Sequence, residues 1–387
     1  MEFTKHDHVV FVLDGSIYLT YHDVRKFGTM ELVEKHKEEE LSSISILGKE
    51  INDPNLNSDY LYPYVKKAAR PIKTVLLDQN IVSGLGNIYV DETLYLSKIN
   101  PKNISNKLNI YQVEKIIRSA KNVIDRAIIL GGTTIRTYQS SLGVDGRFQN
   151  ELNVHTLVGE SCKACGDTIL KTRVGGRGTY YCPTCQREND LLIIGLTGGI
   201  ATGKSLISEL FKKKGVPVID ADKIYKNLLK TNKIMYNEIV ENFGFAIENN
   251  EGIDLKKLGS IVFSNPEKRL LLNEITHPHV LVEMNNEIDS YRKKGEKMVV
   301  IDVPLLFEAK LEYLADLVVL VDSDNETQIE RLMTRDSINR ERAIAKITSQ
   351  LDMETKRKMS DIVIDNSGLV SETENSFNEI FRKLRSD

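Results

Sequence analysis

The chain has 387 residues, of which 41% are apolar and 28% charged, with a net charge of −3. This is too long for one ordinary core, so two or three domains are expected. No apolar run is long enough to span a bilayer as a helix, and Met1-Glu-Phe-Thr-Lys-His-Asp-His has no apolar signal core, which predicts a cytoplasmic protein with no membrane partner. The small net charge hides an asymmetry: residues 101–187 carry 13 Lys/Arg against 6 Asp/Glu, whereas residues 191–387 carry 28 against 32. A basic segment ahead of a mildly acidic one points to a polyanionic partner for the first half, or to a solvated basic face.

In chain order, His6 and His8 alternate on a predicted strand, where a structural role outweighs metal binding. Leu76-Leu-Asp-Gln-Asn-Ile-Val-Ser-Gly-Leu-Gly-Asn-Ile-Tyr-Val-Asp-Glu92 reads as a helix that breaks at Ser83-Gly84-Leu-Gly86 and restarts near Asn87. The second N-terminus of such a helix–turn–helix offers N–H groups to a phosphate. All four cysteines follow as two C-x-x-C knuckles, Cys162 with Cys165 and Cys182 with Cys185. This spacing predicts a closed tetrahedral zinc site with a structural duty rather than disulfides. Between the knuckles, Gly175-Gly-Arg-Gly-Thr-Tyr-Tyr-Cys182 puts Arg177 at a hairpin tip suited to the backbone of bent DNA. A zinc ribbon for protein contacts is the alternative.

Beyond the linker, Leu191-Leu-Ile-Ile-Gly-Leu196 reads as a buried strand and Leu206-Ile-Ser-Glu-Leu-Phe211 as a helix. The segment between them, Gly198-Gly-Ile-Ala-Thr-Gly-Lys-Ser205, has the form of a phosphate-binding loop. Gly198, Gly199 and Gly203 admit phosphate oxygens to backbone N–H groups, so Gly199, Ile200, Ala201, Thr202, Gly203, Lys204 and Ser205 are the predicted ATP-binding run. Lys204 should reach the β- and γ-phosphates and Ser205 should ligate Mg²⁺. Further strands are predicted at Val216–Asp220, Met298–Asp302 and Leu317–Asp322, alternating with helices. The implied parallel sheet binds ligands at its carboxyl ends, where Asp220 and Asp302 fall. For each aspartate taken singly, a turn or helix cap is the alternative.

The order and wording of this half resemble dephospho-coenzyme A kinase. The shared segments are Leu196-Thr-Gly-Gly-Ile200, Val218-Ile-Asp-Ala-Asp222, Ile275-Thr-His-Pro278, Asp302-Val-Pro-Leu-Leu-Phe-Glu308, Gln328-Ile-Glu-Arg-Leu-Met-Thr-Arg335, Ser349-Gln350 and Asp365-Asn366. The resemblance implies transfer of the ATP γ-phosphoryl group to the ribose 3′-hydroxyl of dephospho-coenzyme A, the last step of coenzyme A formation. It implies Asp222 as the base, with Lys204 and Arg335 completing the catalytic set, Asp302 as a Walker-B-like Mg²⁺ ligand beside Ser205, and Asn366 bordering the adenine. Arg335 would reach the phosphates as a lid over Asp336-Ser-Ile-Asn-Arg340 closes. Arg331 and Arg340 are equally suited to surface ion pairs, and His277, in the region resembling the acceptor-binding helices, to a structural role.

The first half resembles formamidopyrimidine-DNA glycosylase, on Leu76–Glu92, Asp23-Val-Arg-Lys-Phe-Gly28 and Gly131-Gly-Thr-Thr-Ile-Arg136. The resemblance implies a helix–two-turn–helix domain and a zinc finger gripping kinked, damaged or abasic double-stranded DNA. Asn87 and Arg177 would hold the phosphates flanking the lesion, while Arg25 and Phe27 would fill the gap left by the flipped base. Thr134, Arg136 and Tyr138 would cover that base. The family's nucleophile is an N-terminal proline amine followed by glutamate, whereas this chain begins Met1-Glu2, so no glycosylase or lyase activity is expected of these 387 residues.

The resulting fold class is multidomain: an α/β P-loop kinase with a parallel sheet, preceded by a partial β lobe, a helix–two-turn–helix domain and a zinc finger. The expected division is 1–45 for the partial lobe, 46–150 for the helix–two-turn–helix domain, 151–187 for the four-cysteine finger, 188–191 for a linker and 192–387 for the kinase. The expected cofactors are ATP, Mg²⁺ and Zn²⁺. Two other readings compete: a chiefly DNA-binding protein with a passenger kinase, and a bifunctional or primarily repair glycosylase/AP lyase whose start lies upstream. A linker as short as Gln186–Asp190 predicts little independent domain motion, and the junction reads as two adjacent genes run together.

Overall fold

The computed structural model describes residues 3–15, 17–24, 26–37, 41–132, 147–188, 190–249 and 252–385. These fall into two compact units, 1–48 and 49–387. Among the described residues no helix is long and apolar enough to cross a membrane.

The first unit is built on an antiparallel hairpin of β1 (Asp7–Leu13) and β2 (Ile17–His22), paired through Val10 with Thr20 and Phe11 with Leu19. Asp14 and Gly15 both take positive φ, 50° and 72°, which suits the tight turn that a right-twisted hairpin needs. Two strands cannot cover their own apolar side chains. Val12 and Leu19 are each 59% exposed within this unit.

The second unit begins with four helices, α1 (Ser58–Lys67), α2 (Ile72–Leu76), α3 (Asn87–Leu96) and α4 (Ile110–Ile129). Val113, Ile116, Ile117 and Ala120 recur at helical spacing along α4, forming the stripe that meets Leu61, Val65, Val90 and Leu94, while Val123 continues it towards Phe148 and Leu152. Asn109 and Gln112 close a reciprocal capping box at its start. The expected helix running up to Ser83 instead stops at Leu76. Asp78 and Gln79 are the physical reason: Asp78 Oδ1 accepts the Asn80 N–H and Gln79 Oε1 accepts the Gly84 N–H, so side chains capture N–H groups a helix would use. Val82–Ser83 then pairs in parallel with Lys49–Glu50. The knuckles follow, joined by a hairpin of β3 (Leu170–Val174) and β4 (Arg177–Tyr181) that turns at Gly175 and Gly176, φ 56° and 75°.

The remainder is an α/β domain on a five-stranded sheet, with β5 (Leu192–Gly198), β6 (Val218–Asp220), β7 (Met298–Asp302), β8 (Leu317–Asp322) and β9 (Ile362–Asp365) in the order β9-β8-β5-β7-β6. Every pairing is parallel. A parallel sheet is covered on both faces, and β5 and β8 are accordingly unbroken runs of buried residues. Alternation sends Leu191, Ile193, Val299 and Ile301 into one core and Leu192, Ile194, Leu196 and Val300 into the other. Helices α5 (Lys204–Lys213), α6 (Ala221–Thr231), α7 (Lys233–Phe243), α8 (Leu255–Ser264), α9 (Pro266–Lys293), α10 (Asn325–Asp336), α11 (Arg340–Thr348), α12 (Met353–Met359) and α13 (Val370–Leu384) surround it. On one face Phe211 of α5 meets Phe377 of α13 edge to face, with centroids 4.8 Å apart.

Candidate nucleotide site and zinc centre

The carboxyl ends of the strands bring three aspartates and the glycine-rich loop together. Asp302 and Asp220 are register partners at the ends of β7 and β6, and Asp302 lies level with Leu196 of β5, two residues before the loop. Asp220 also caps α6, accepting the Lys223 N–H at 3.1 Å, so its capping and site-lining readings coexist. Asp222 follows in the first turn of that helix.

The loop itself is fixed from four sides. Thr202 Oγ1 donates to Gly199 O at 2.9 Å, Gln350 Oε1 accepts the Ile200 N–H at 2.9 Å, Gln328 Nε2 donates to Ile200 O at 2.9 Å, and Asn366 Nδ2 donates to Thr202 O at 2.7 Å. Asn366 is buried and anchored in turn by the Thr373 hydroxyl, 2.9 Å from its Oδ1. Ala201 and Gly203 take φ of 61° and 89°, which bends the backbone into a concave turn ahead of α5. Gly203 has no substitute here: a Cβ would sit 2.0 Å from Asn366 Nδ2, in a φ region that side chains resist. Gly199 is closed in by Gln328 and Met353 in the same way.

Lys204 opens α5 and its Nζ donates to Asp302 Oδ1. Ser205 is the next residue of that helix. Asp222 is reached by solvent, yet its carboxyl is held above the usual carboxylate range, first by desolvation from the surrounding protein and then by Asp220; Lys204 opposes the shift. Arg335 lies at the end of α10, exposed and paired with Asp336 at 2.8 Å, and Lys346 of α11 joins the same carboxylate at 2.7 Å. Arg331, one turn earlier, has a buried Nη1 without a hydrogen-bond partner among the described residues, 3.9 Å from where a Gly203 Cβ would stand. Gln328, Arg331 and Gln350 stand in segments that carry the resemblance, but their places beside the loop come only through the fold. His277 is half-buried on α9, and burial lowers its imidazole below the ordinary value.

The four cysteine Sγ atoms lie within 4.8 Å of one another, with Cys162–Cys185 at 3.8 Å and Cys165–Cys182 at 3.4 Å. Zn–S bonds of about 2.3 Å in a tetrahedron require S–S edges of roughly 3.8 Å, far longer than a disulfide of about 2.05 Å. The donor set therefore fits a closed zinc site. Cys185, through its side chain and its N–H donated at 3.4 Å, favours the thiolate at Cys182, while Cys182 and burial hold the Cys185 thiol up.

Beside this centre, Asn87 at the start of α3 donates from Nδ2 to Gly178 O at 3.0 Å, which places it next to Arg177, ninety positions later in the chain. Arg177 is exposed at the hairpin tip. Beneath them Lys73 is fully buried, with Nζ donating to Asp91 Oδ1 at 2.6 Å, Thr179 Oγ1 at 2.9 Å and Gly178 O at 3.1 Å. Asp91 Oδ2 takes His155 Nδ1 at 2.8 Å and the Tyr180 N–H at 3.3 Å, and Glu92 accepts the N–H groups of Asn153, Val154 and His155. Phe27, in the first unit, is 77% exposed. Arg25, Thr134, Arg136 and Tyr138 lie outside the described residues.

Residues 192–372 match the family described as dephospho-CoA kinase. A dephospho-CoA kinase of Bacillus cereus is 47% identical over 193 residues, covering 50% of this chain and 96% of the relative. The chain belongs to the dephospho-CoA kinase family.

Ahead of the dephospho-CoA kinase domain, residues 47–139 match the H2TH domain of formamidopyrimidine-DNA glycosylase, and residues 159–187 match a zinc finger found in that enzyme and in IleRS. A formamidopyrimidine-DNA glycosylase of Listeria innocua is 42% identical over 186 residues, 48% of this chain and 68% of the relative. A solved complex of the Lactococcus lactis Fpg with DNA containing an abasic site is 40% identical, with a TM-score of 0.45, over 49% of this chain and 69% of that one. On the family matches and the Bacillus cereus and Listeria innocua relatives, the chain is a fusion of a glycosylase-like region to a dephospho-CoA kinase, as its sequence resemblances implied.

Proposed function

We propose that the chain transfers the γ-phosphoryl group of ATP to the ribose 3′-hydroxyl of dephospho-coenzyme A, in the cytoplasm, through residues 192–387. The observation that carries this reading is the Lys204–Asp302 pair at the mouth of a glycine loop, with Asp220 at the neighbouring strand end and Asp222 in the first turn of the helix that follows. The loop from Gly199 to Gly203, in which Gln350 already takes the Ile200 N–H, receives the phosphates on its other backbone N–H groups, and Lys204 exchanges Asp302 for the β- and γ-phosphate oxygens. Ser205 and Asp302 would hold Mg²⁺, which when bound neutralises charge on the transferring group. Asp222 orients the acceptor hydroxyl and takes its proton, a duty suited to a carboxyl whose pKa is raised towards working pH. Arg335 meets the phosphates when α10 and α11 close over the nucleotide, and Asn366, which already supports Thr202, borders the adenine.

The experiment is to incubate the full chain with Mg-ATP and dephospho-coenzyme A, and in parallel with an analogue lacking the 3′-hydroxyl. Formation of coenzyme A with the first and no phosphorylated product with the second is expected. Equal turnover of both acceptors would refute the assignment.

A second activity is favoured by the convergence of Asn87 and Arg177 at Gly178: the zinc-finger half binds double-stranded DNA, damaged or abasic, through its phosphates. Retardation of an abasic duplex should weaken steeply with salt and disappear on zinc chelation. Salt-independent binding would contradict it.

A further inference from the structure

Within the 49–387 unit, α4 and the end of α3 lie against the amino-terminal edge of the kinase sheet, the edge opposite the nucleotide site. Lys115 Nζ donates to Asp316 O at 2.6 Å and to Asp361 Oδ2 at 3.0 Å, and Arg118 pairs with Asp361 Oδ1. The Lys115 and Asp361 side chains are only 8% and 5% exposed. Lys98, at φ 60° just past α3, donates to Glu312 O. The side chains of the same two aspartates hold the beginnings of β8 and β5: Asp361 Oδ2 accepts the Val318 N–H at 2.9 Å, and Asp316 Oδ2 accepts the Ile193 N–H at 2.8 Å. Burial works to raise the Asp361 carboxyl, but Lys115, the Val318 N–H and Arg118 outweigh it and hold the group below the usual range.

The zinc finger reaches the same edge. Arg187, two residues past Cys185, donates from Nη1 to Leu314 O at 3.3 Å. Tyr313 packs on the cysteine core and on the kinase core at once. Exposed ion pairs between loosely tethered domains contribute little and stay hydrated, whereas a buried pair survives only where its surroundings are fixed.

We propose that residues 49–387 unfold as one cooperative unit, in which Lys98, Lys115 and Arg118 latch the glycosylase-like region to the sheet edge and make the zinc centre a stabiliser of the nucleotide-binding sheet. The surface at Asp316 and Asp361 is a docking face whose partner is this chain's own first half. Because metal binding in such a finger is folding free energy, a shared unit passes that stabilisation to β5 and β8. The inference stands apart from which acceptor the kinase uses.

The test follows hydrogen exchange in peptides covering 192–198 and 317–322 of the zinc-loaded full chain, alongside calorimetry, neither of which needs turnover. A single melting transition is expected. Chelation should lower it by roughly 5–10 °C and speed exchange in both strands at least about tenfold, reversed by added zinc. Lys115→Met combined with Arg118→Ala, which touches neither site, should split the transition and leave exchange in the strands insensitive to chelation. Arg118→Ala alone, at an exposed position, should give a weaker uncoupling should the double variant not fold. Unchanged exchange at β5 and β8 after zinc removal from the intact chain would overturn the proposal, as would undiminished coupling in the variants.

Discussion

Lys73 and Lys204 each reach an aspartate, but the two regions around them are built differently. All three donors of Lys73 are used, on Asp91, Thr179 and Gly178, and the far oxygen of Asp91 is itself taken by His155 and Tyr180. Among the described residues the Lys204 ammonium has one hydrogen-bonded partner, Asp302, and Lys204 opens the helix that follows a loop of bent backbone. A saturated buried pair can only support, because any new contact must break an old one. An unsaturated pair at a strand end retains donors for a ligand. The difference separates the seam that holds the zinc finger to α3 from the site proposed to handle phosphate.

Five substitutions sharpen this contrast. Lys204→Ala should lower the rate of coenzyme A formation by about 10²–10³ or more while leaving zinc content and melting temperature near those of the parent, as read by steady-state kinetics and calorimetry. Lys73→Met should do the reverse, costing roughly 3–5 kcal/mol of stability in urea titration because Asp91 loses its buried partner, with normal turnover in the fraction still folded. Asp222→Asn should reduce turnover about a hundredfold. In the parent, a base must be ionised to act, so the rate should fall as pH drops through an acidic limb lying above the ordinary 3.8 of an aspartate, and the variant should lack that limb. Gly203→Ala should raise the KM for ATP roughly tenfold, through strain at φ 89° and collision with Asn366. Smallest of all, Arg177→Ala should reduce the salt slope of duplex binding by about 1, measured by titration at several salt concentrations, without touching kinase turnover.

Much of the kinase region was legible because its signals are local. A β-branched run ending in aspartate marks Met298–Asp302, and a glycine-rich segment between strand and helix marks the bent loop of the proposed nucleotide site. The cysteine spacing was equally direct, since two tight knuckles need only a hairpin to bring four sulfurs together. What the sequence concealed depends on partners far apart in the chain. Asp91 serves Lys73 and His155, 18 and 64 positions away, and nothing near any of them advertises the network. Gln350 reaches back 150 positions to support Ile200. The early end of α2 was hidden for a different reason, because Asp78 and Gln79 look helix-compatible until their side chains take backbone donors. The reading of the junction as two genes run together likewise had no access to the contacts of Lys115 and Arg118 with the sheet edge.

The contrast between the two lysines is tested most directly by one comparison: coenzyme A formed from dephospho-coenzyme A and Mg-ATP by the parent chain and by Lys204→Ala, at matched zinc content. The parent should turn over, and the variant should be silent yet equally folded. Turnover retained by Lys204→Ala would contradict the account.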